Sequence, residues 1–497
     1  MPKSAVTGPN IGTGQFSIKG SHSIVPSPPV KVGSQRQLLM DDHVVDDWWE
    51  CRRTVHQPTK HPDNPLIRPT EPWEGTGPGN GTVLYDEQAG RFRLWGGVWD
   101  DKMRNPDGSK AARSLRGIYY ESEDGVHWEA PELGILEWDG STANNLILGG
   151  DRLHAAMSVF ELPSRLSDRG RFGMLQGVAK PGRSTGHDHS MDQIVAYSDD
   201  GVRWTYQAEN PVFHARSDTY NNIVYNRDRD VFMQYRRASV NANEIRRIAY
   251  SESEDLVSWT QPTVVVKPDE LDPPMLYGMA VCRYQGVYLG TLQMLYFDAE
   301  ARHPKSHQMD AELAWSRDGV EWSRHPERPI FLEGGLIGDY DWGMVYAWND
   351  IIERPDGIYI YYDGHDALHT SAVPGSGVRS FSLATLRKDG FVSIDSVSGR
   401  VGYMLTRPLE CSGGGLHINA KTGAGGYVKV AVRRGDGEMD GEWLPDWSFE
   451  TNAVFTGDAT DHVVGWTEGD SLDSLSGQSV RLHFWLHDAE LYSFWFE

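Results

Sequence analysis

Apolar residues along this chain come in short runs that alternate with polar positions, and stretches with helical spacing are hard to find. One pairing of runs recurs. RFRLWGG (Arg91–Gly97), RFGMLQG (Arg171–Gly177), VFMQY (Val231–Tyr235), VYLGTL (Val287–Leu292) and IYIYYDG (Ile358–Gly364) each read as a strand. Each is followed by a second strand: GIYYES, IVAYSD, RIAYSES, ELAWSR and FSLATL. Every second strand runs into a turn of nearly constant sequence. SEDGVHW (Ser122–Trp128), SDDGVRW (Ser198–Trp204) and SRDGVEW (Ser316–Trp322) are near-copies. SEDLVSW has Leu256 in place of Gly, and RKDGFVS keeps Asp-Gly but loses the Trp.

The turn aspartates are Asp124, Asp200, Asp255, Asp318 and Asp389, at intervals of 76, 55, 63 and 71 residues. Five similar units, each with room for about four short strands, predict an all-β fold: a five-bladed β-propeller. Each blade buries its faces only against its neighbours, so the units must close into a ring. The turn itself reads as a hairpin staple. Ser and Asp side chains bond the backbone, Gly supplies a positive φ, and Trp packs back between sheets. That places these aspartates away from the axis and makes them structural, not catalytic.

The propeller is expected over residues 36–398. Residues 1–35, rich in Gly, Ser and Pro, bury little and predict a flexible N-terminal arm. RQLLMDDHVV opens the ordered chain as a strand. Beyond 399 the pattern changes to longer alternating stretches such as GYVKVAVRR and SVRLHFWLHDAELYSFWFE, which predict a C-terminal β-sandwich over 399–497.

Composition narrows the partners. The formal net charge of −23 argues against a nucleic-acid backbone and against an anionic membrane surface. Aromatic content of 11% favours β structure and ring platforms for ligands such as sugars. Cys51, Cys282 and Cys411 are odd in number and lack metal-ligand spacing, so they read as free and buried. No apolar run approaches the roughly 20 residues that span a bilayer. The N-terminus lacks the layout of a secretory signal, which fits a cytoplasmic protein or a secreted or periplasmic one whose signal has been removed. Homo-oligomerisation is left open.

A propeller's pocket lies on its axis, where the innermost strands begin. The segments expected there carry acids among rings: Trp73, Glu74 and Asn80 in blade one, His154 in two, Asp218 and Asn221 in three, Tyr277 in four, Asp341 and Trp342 in five. Glycoside cleavage calls for this mixture. One carboxylic acid protonates the leaving oxygen while a second carboxylate activates water or attacks the anomeric carbon, and aromatic faces stack on sugar rings. Asp218 and Asp341 are the leading catalytic candidates because both open an inner strand. Glu74 or Glu244 would supply a further carboxylate. Trp73, Asn80, His154, Asn221, Tyr277 and Trp342 are candidate substrate contacts. Arg236, within an arginine-rich hairpin, could clamp an anionic sugar substituent, although such a hairpin is more often a surface of paired charges. GHDHS (Gly186–Ser190) and DGHDALH (Asp363–His369) hold metal-ligating residue types, yet short His/Asp clusters in loops are more often solvated. No metal or other cofactor is called for, with a structural calcium ion at the axis left open. Neither a phosphate-binding loop, nor a dinucleotide fingerprint, nor a serine-hydrolase elbow is present.

The segments HQPTKHPDNPLIRP, GTVLYDEQAGRFRLW, PELGILEWDGSTANNLIL, SDTYNNIVYN, YGMAVCRYQGVYLG, LATLRKDGFVSID and LHDAELYSFWFE span roughly residues 36–497. Through them the chain resembles the five-bladed-propeller glycosidases that group fructan-active enzymes with arabinanases and xylosidases. More closely it resembles a bacterial set described as glycosyl hydrolase family 32-like, a label that names no reaction. The resemblance implies a propeller with a sandwich and a carbohydrate substrate. It carries over no catalytic residue. The fructan-active enzymes' Trp-Met-Asn-Asp-Pro and Arg-Asp-Pro motifs are missing, RDRD (Arg227–Asp230) lacks the Pro, and Glu410-Cys411 lies past the propeller. The repeated turn is similar to the sialidase Asp box but one residue shorter.

The expectation is therefore a glycoside hydrolase, exo-acting on a furanoside or a modified plant or algal sugar, with oligosaccharides or glycosides as partners. Two alternatives have their own signatures. A non-catalytic sugar-binding module would show aromatic rings but no facing carboxylates. A lyase or phosphorolytic enzyme would show a basic pocket or a Tyr/His pair.

Overall fold

The computed structural model describes residues 28–99, 115–149, 153–179, 191–215, 217, 221–239, 245–273, 275–297, 305–369, 377–435 and 443–497. The chain forms two compact units. One is residues 57–386, the other residues up to 56 together with 387–497.

The first unit is the propeller. Its innermost strands are Pro78–Asp86, Leu153–Glu161, Asn222–Asn226, Met275–Tyr284 and Met344–Arg354. Each pairs antiparallel with a middle strand: Arg91–Trp99, Phe172–Ala179, Val231–Ser239, Val287–Leu295 and Gly357–His365. Third strands follow at Leu115–Ser122, Met191–Ser198, Arg246–Ser253, Met309–Ser316 and Arg379–Leu386. The inner strands touch in sequence order, and the fifth touches the first, which closes the ring. Blade five takes its outer strand, Thr59–Lys60, from the opposite end of the unit. The period-two alternation has a direct consequence here. Successive residues face successive blades, so Phe92, Phe172 and Phe232 are fully buried between sheets.

Four of the repeated turns form the expected staple at the end of the third strand. The Ser122, Ser198, Ser253 and Ser316 hydroxyls each accept the amide three residues on, all at 2.8 Å. Each turn aspartate accepts two further amides at 2.7–2.8 Å. Partial burial pushes these carboxyls up, but the hydrogen bonds outweigh it and hold all four below their usual range. The fifth copy differs. Asp389 lies in the other unit, where it accepts Ser493 Oγ at 2.6 Å and pairs with Arg36.

The second unit is the β-sandwich, and it takes more of the chain than the alternation suggested. Val45–Trp49 pairs with Val401–Thr406, and Cys51–Val55 pairs with Val392–Ser396. Residues 36–56 and 387–398, expected in the propeller, thus belong to this unit. RQLLMDDHVV is not one strand; only Gln37–Leu38 and, after a bend, Val45–Trp49 are extended. Of the arm, residues 1–27 lie outside the described residues, while Val30–Lys31 pairs with Leu409–Glu410. Two long strands, Leu416–Arg434 and Ser479–Phe496, run antiparallel and carry the core, which includes Leu482, Phe484, Leu486 and Phe494. Cys282 and Cys411 are buried and Cys51 half-buried, all free thiols. Burial, with Asp395 and Glu50 nearby, pushes the Cys51 thiol up to about 12. No helix among the described residues is long and apolar enough to cross a membrane.

Candidate active site

The five middle strands can be aligned on the residue that faces the turn: Phe92, Phe172, Phe232, Tyr288 and Ile358. Five positions further along stand Gly97, Gly177, Arg237, Gln293 and Asp363. Blades one and two have no side chain in this row, whereas blades three to five place a cation, an amide and a carboxylate there. The inner strands bulge at the same level. Register shifts fall at Asn80–Gly81, at Tyr277 and at Trp348–Asp350. Bulges re-aim side chains, and they are over-represented next to active sites.

Row and bulges meet in one cluster. Asp363 is fully buried. Its Oδ1 accepts the Trp348 indole at 2.7 Å and the Asn80 amide at 3.1 Å. Its Oδ2 faces His365 Nε2 at 3.3 Å and Arg379 Nη1 at 3.7 Å. Burial would raise this carboxyl, but His365, Arg379 and Trp348 outweigh it and keep Asp363 ionised. Burial and then Arg379 push the His365 ring down against the pull of Asp363, so His365 is neutral at neutral pH. A neutral imidazole beside a fixed anion can take up a proton. The Tyr346 ring lies 5.0 Å from His365 and 5.8 Å from Tyr277, whose own ring is 5.2 Å from His369. Burial, first of all, holds the Tyr346 phenol protonated.

The sequence candidates divide over this geometry. Asn80 and Tyr277 belong to the cluster, both at bulges, with Asn80 at φ 48°. Asp341 is 1% exposed and precedes its strand, but its Oδ2 is held by Lys60 Nζ at 2.6 Å and Tyr362 Oη at 3.1 Å. Its Oδ1 accepts the Gly335 amide. Tyr362 and Asp363 are successive strand residues and point to opposite faces, so Asp341 sits on the reverse face from Asp363. Glu74 is likewise engaged locally, accepting the Thr70 and Glu71 amides and the Tyr120 hydroxyl. Trp73 donates to Asn145, and Trp342 donates to the Asp366 carbonyl. Asn221 is buried just ahead of its strand.

Arg236 stacks on Phe213 at 4.8 Å, and burial pushes it down to about 10. It is the neighbouring Arg237 that reaches Tyr277. His154 pairs through its backbone with Val178, and its side chain lies outside the described residues. Asp218, Glu244 and the GHDHS segment also lie outside them. The DGHDALH segment is no solvated loop, since Asp363 and His365 end a buried strand. Among the described residues no group of three or more His, Cys, Asp and Glu is arranged to hold a metal ion. Asp363, His365, Arg379 and Arg237 were missed as a set. For Arg237 and Asp363 the signal was a charged residue at one shared position of the middle strands; His365 and Arg379 stand outside that position and had no such signal.

No family model matches the chain, and no curated protein matches it. Among solved structures it is similar to a glycosyl hydrolase from Bacteroides ovatus, with 14% identity, 67% of this chain and 94% of that one covered, and a TM-score of 0.45. It is also similar to the Bombyx mori GH32 beta-fructofuranosidase, with 12% identity, coverage of 89% and 94%, and a TM-score of 0.43. A third similar structure comes from work on the GH130 family of mannoside phosphorylases, with 15% identity, coverage of 67% and 94%, and a TM-score of 0.43.

Proposed function

We propose that this protein is a carbohydrate-active enzyme that hydrolyses a glycosidic bond at the axis of its propeller, where the inner strands begin. One observation carries the reading. Asp363 is a buried carboxylate kept ionised at the level where the inner strands bulge, beside a neutral histidine and two tyrosine rings. Such a carboxylate can attack an anomeric carbon or activate water, and the rings can carry a sugar face. Asp218 and Glu244 of blade three are the candidates for the proton-donating acid. The substrate is an oligosaccharide or glycoside.

A second reading has its own support. The Tyr346–His365 and Tyr277–His369 ring pairs, with three arginines close by, also suit β-elimination from an acidic sugar. There a base removes a ring proton and the glycosidic oxygen leaves, without water. Incubation with a panel of plant and algal oligosaccharides separates the readings. Hydrolysis yields a saturated reducing sugar and takes up solvent oxygen. Elimination yields an unsaturated, ultraviolet-absorbing end. Absence of any cleavage across the panel, with binding retained, would reduce the protein to a sugar-binding module.

A further inference from the structure

We propose that the interface between blades two and three binds a small oxoanion, such as phosphate, sulfate or a single carboxylate group, through Arg236, Gln193 and Gln234. The site lies off the axis and does not depend on the reading of the axial cluster. Leu175 and Val195 of blade two share a buried cluster with Ile223 and Phe232 of blade three, so these faces of the two sheets meet. The strand pairings run on from there without a register shift. By the period of two, Gly177 and Gln193 extend the face of blade two, and Gln234 and Arg236 extend that of blade three. Phe213 joins the two sides. It pairs with Gln193 within its own sheet, and the Arg236 guanidinium lies 4.8 Å from its ring centroid. Gly177, opposite Gln193, adds no side chain to the interface at this level.

Both glutamines are fully buried, and among the described residues neither the oxygen nor the nitrogen of either side-chain amide has a hydrogen-bond partner. Ser251, which pairs with Gln234, is 2% exposed, and its hydroxyl is likewise without a partner. Arg236 is half-buried and forms no ion pair among the described residues; burial alone pushes it down to about 10. The Phe213 ring orients the guanidinium plane but carries no net charge to balance it. Two other buried arginines are balanced: Arg324 by Asp272 and Glu312, and Arg481 by Asp46. A guanidinium largely withdrawn from water without a counter-charge is costly, and so is each buried amide without a hydrogen bond. An oxoanion answers both. Two of its oxygens accept from the guanidinium fork at once, and the rest accept from the glutamine Nε2 and serine hydroxyl donors. Ordered water would serve the amides but leave the charge unbalanced. Arg236 is the member that reaches solvent, so the anion enters past it. The glutamines are enclosed between two sheets, which suits an ion or a single substituent and not a whole sugar ring.

The test is calorimetric titration of the full-length protein with inorganic phosphate and with sulfate at fixed ionic strength, chloride making up the balance. Saturable binding is expected. Arg236→Met should weaken it about tenfold or more. Arg203→Met, which removes an exposed arginine of blade two, should leave it unchanged. Gln234→Leu is the second variant should Arg236→Met fail to fold. Leucine needs no hydrogen-bond partner, so this variant should keep the urea midpoint in chloride buffer while binding the anion more weakly. Glucuronate and a sugar sulfate form a second arm. Binding of these alone, dependent on Arg236, assigns the oxoanion to a sugar substituent, whereas binding of the inorganic ions assigns a free ion. Absence of saturable binding in both arms, or binding that survives both variants undiminished, overturns the proposal. Neither result bears on the axial site.

Discussion

Tyr361 donates its phenolic hydrogen to the carbonyl of Gly125 at 2.8 Å, and with that bond blade five holds the turn of blade one. The same strand position does the same work twice more. Trp95 reaches the Gly201 carbonyl at 2.6 Å and Tyr235 that of Gly319 at 2.7 Å. The repeated turn is thus read by the preceding blade as well as by its own side chains. Replacing Tyr361 with Phe leaves the ring packed but removes the bond. The carbonyl keeps the Trp128 indole at 3.2 Å, so the cost should be near the low end for a buried hydrogen bond, about 1 kcal/mol. Urea unfolding of wild type and Tyr361→Phe measures it; identical midpoints would mean this bond contributes nothing to ring closure.

Asp363→Asn should leave the fold intact and reduce turnover by about 100- to 10,000-fold. The amide oxygen can still accept from Trp348 and Asn80. What disappears is the anion that faces His365 and Arg379. Turnover on a cleaved substrate, alongside circular dichroism, separates the two effects. Full activity in a folded variant would remove Asp363 from the chemistry.

Asp341→Asn should do the reverse. The carboxylate is buried, but its partner Lys60 is about a third exposed, so the ion pair is partly screened. A loss of about 1–2 kcal/mol is expected, with turnover close to wild type. The Lys60–Asp341 bond ties the outer strand of blade five to the segment leading into its inner strand. A fall in turnover at unchanged stability would restore Asp341 as a catalytic carboxylate.

These two aspartates show where the sequence was legible and where it was not. Blades repeat, so alternation and the Ser-x-Asp-Gly turn were enough to find strands, ring and sandwich. The domain border was missed because pairing across distant segments, such as Cys51–Val55 with Val392–Ser396, leaves no local pattern. Site residues depend on which face a strand residue takes. Arg236 and Arg237 differ by one position and point to opposite sides, toward Phe213 and Tyr277. A bulge shifts that parity, and bulges such as the one at Tyr277 have no clear signature in a single sequence. Asp341 looked like an axial acid because it precedes an inner strand. Its contact with Lys60, far away in the chain, could not be read from the local sequence.

Acid should weaken the sandwich before it weakens the carboxylates. Burial, and then the Arg433 charge, pushes His483 from its ordinary 6.5 down to about 4. Above pH 6.5 neither the folded nor the unfolded form binds this proton, so the ring is neutral in both. As pH falls below 6.5 the unfolded chain takes the proton that the fold refuses, and stability declines until about pH 4. The depressed turn aspartates lose their contribution only at lower pH. His483→Phe keeps an aromatic ring against Trp443 and should reduce the slope between pH 6.5 and 4. His56, His365 and His462 shift in the same direction, so part of the slope remains. Denaturant midpoints across this range give the answer; an unchanged slope in the variant would exclude His483 as its source.

The third turn carries Leu256 where its three companions have Gly, at φ 67°, a conformation that L side chains adopt reluctantly. Left-handed backbone at such a residue costs of order 1 kcal/mol. The side chain is completely buried, in a cluster with Leu175, Tyr197 and Phe232. At the matching position of blade one, Trp95 donates a hydrogen bond into the next blade's turn. Blade two has Leu175 there, which cannot donate, and Leu256 fills the interface with apolar contact instead. Removing a buried leucine side chain costs about 2–5 kcal/mol, more than the strain it relieves. Leu256→Gly, although it restores the repeat, should therefore destabilise the protein by about 1–4 kcal/mol. Thermal unfolding of that variant decides between packing and strain. A higher melting temperature would show that backbone strain dominates, and that the leucine is tolerated in the turn and not needed there.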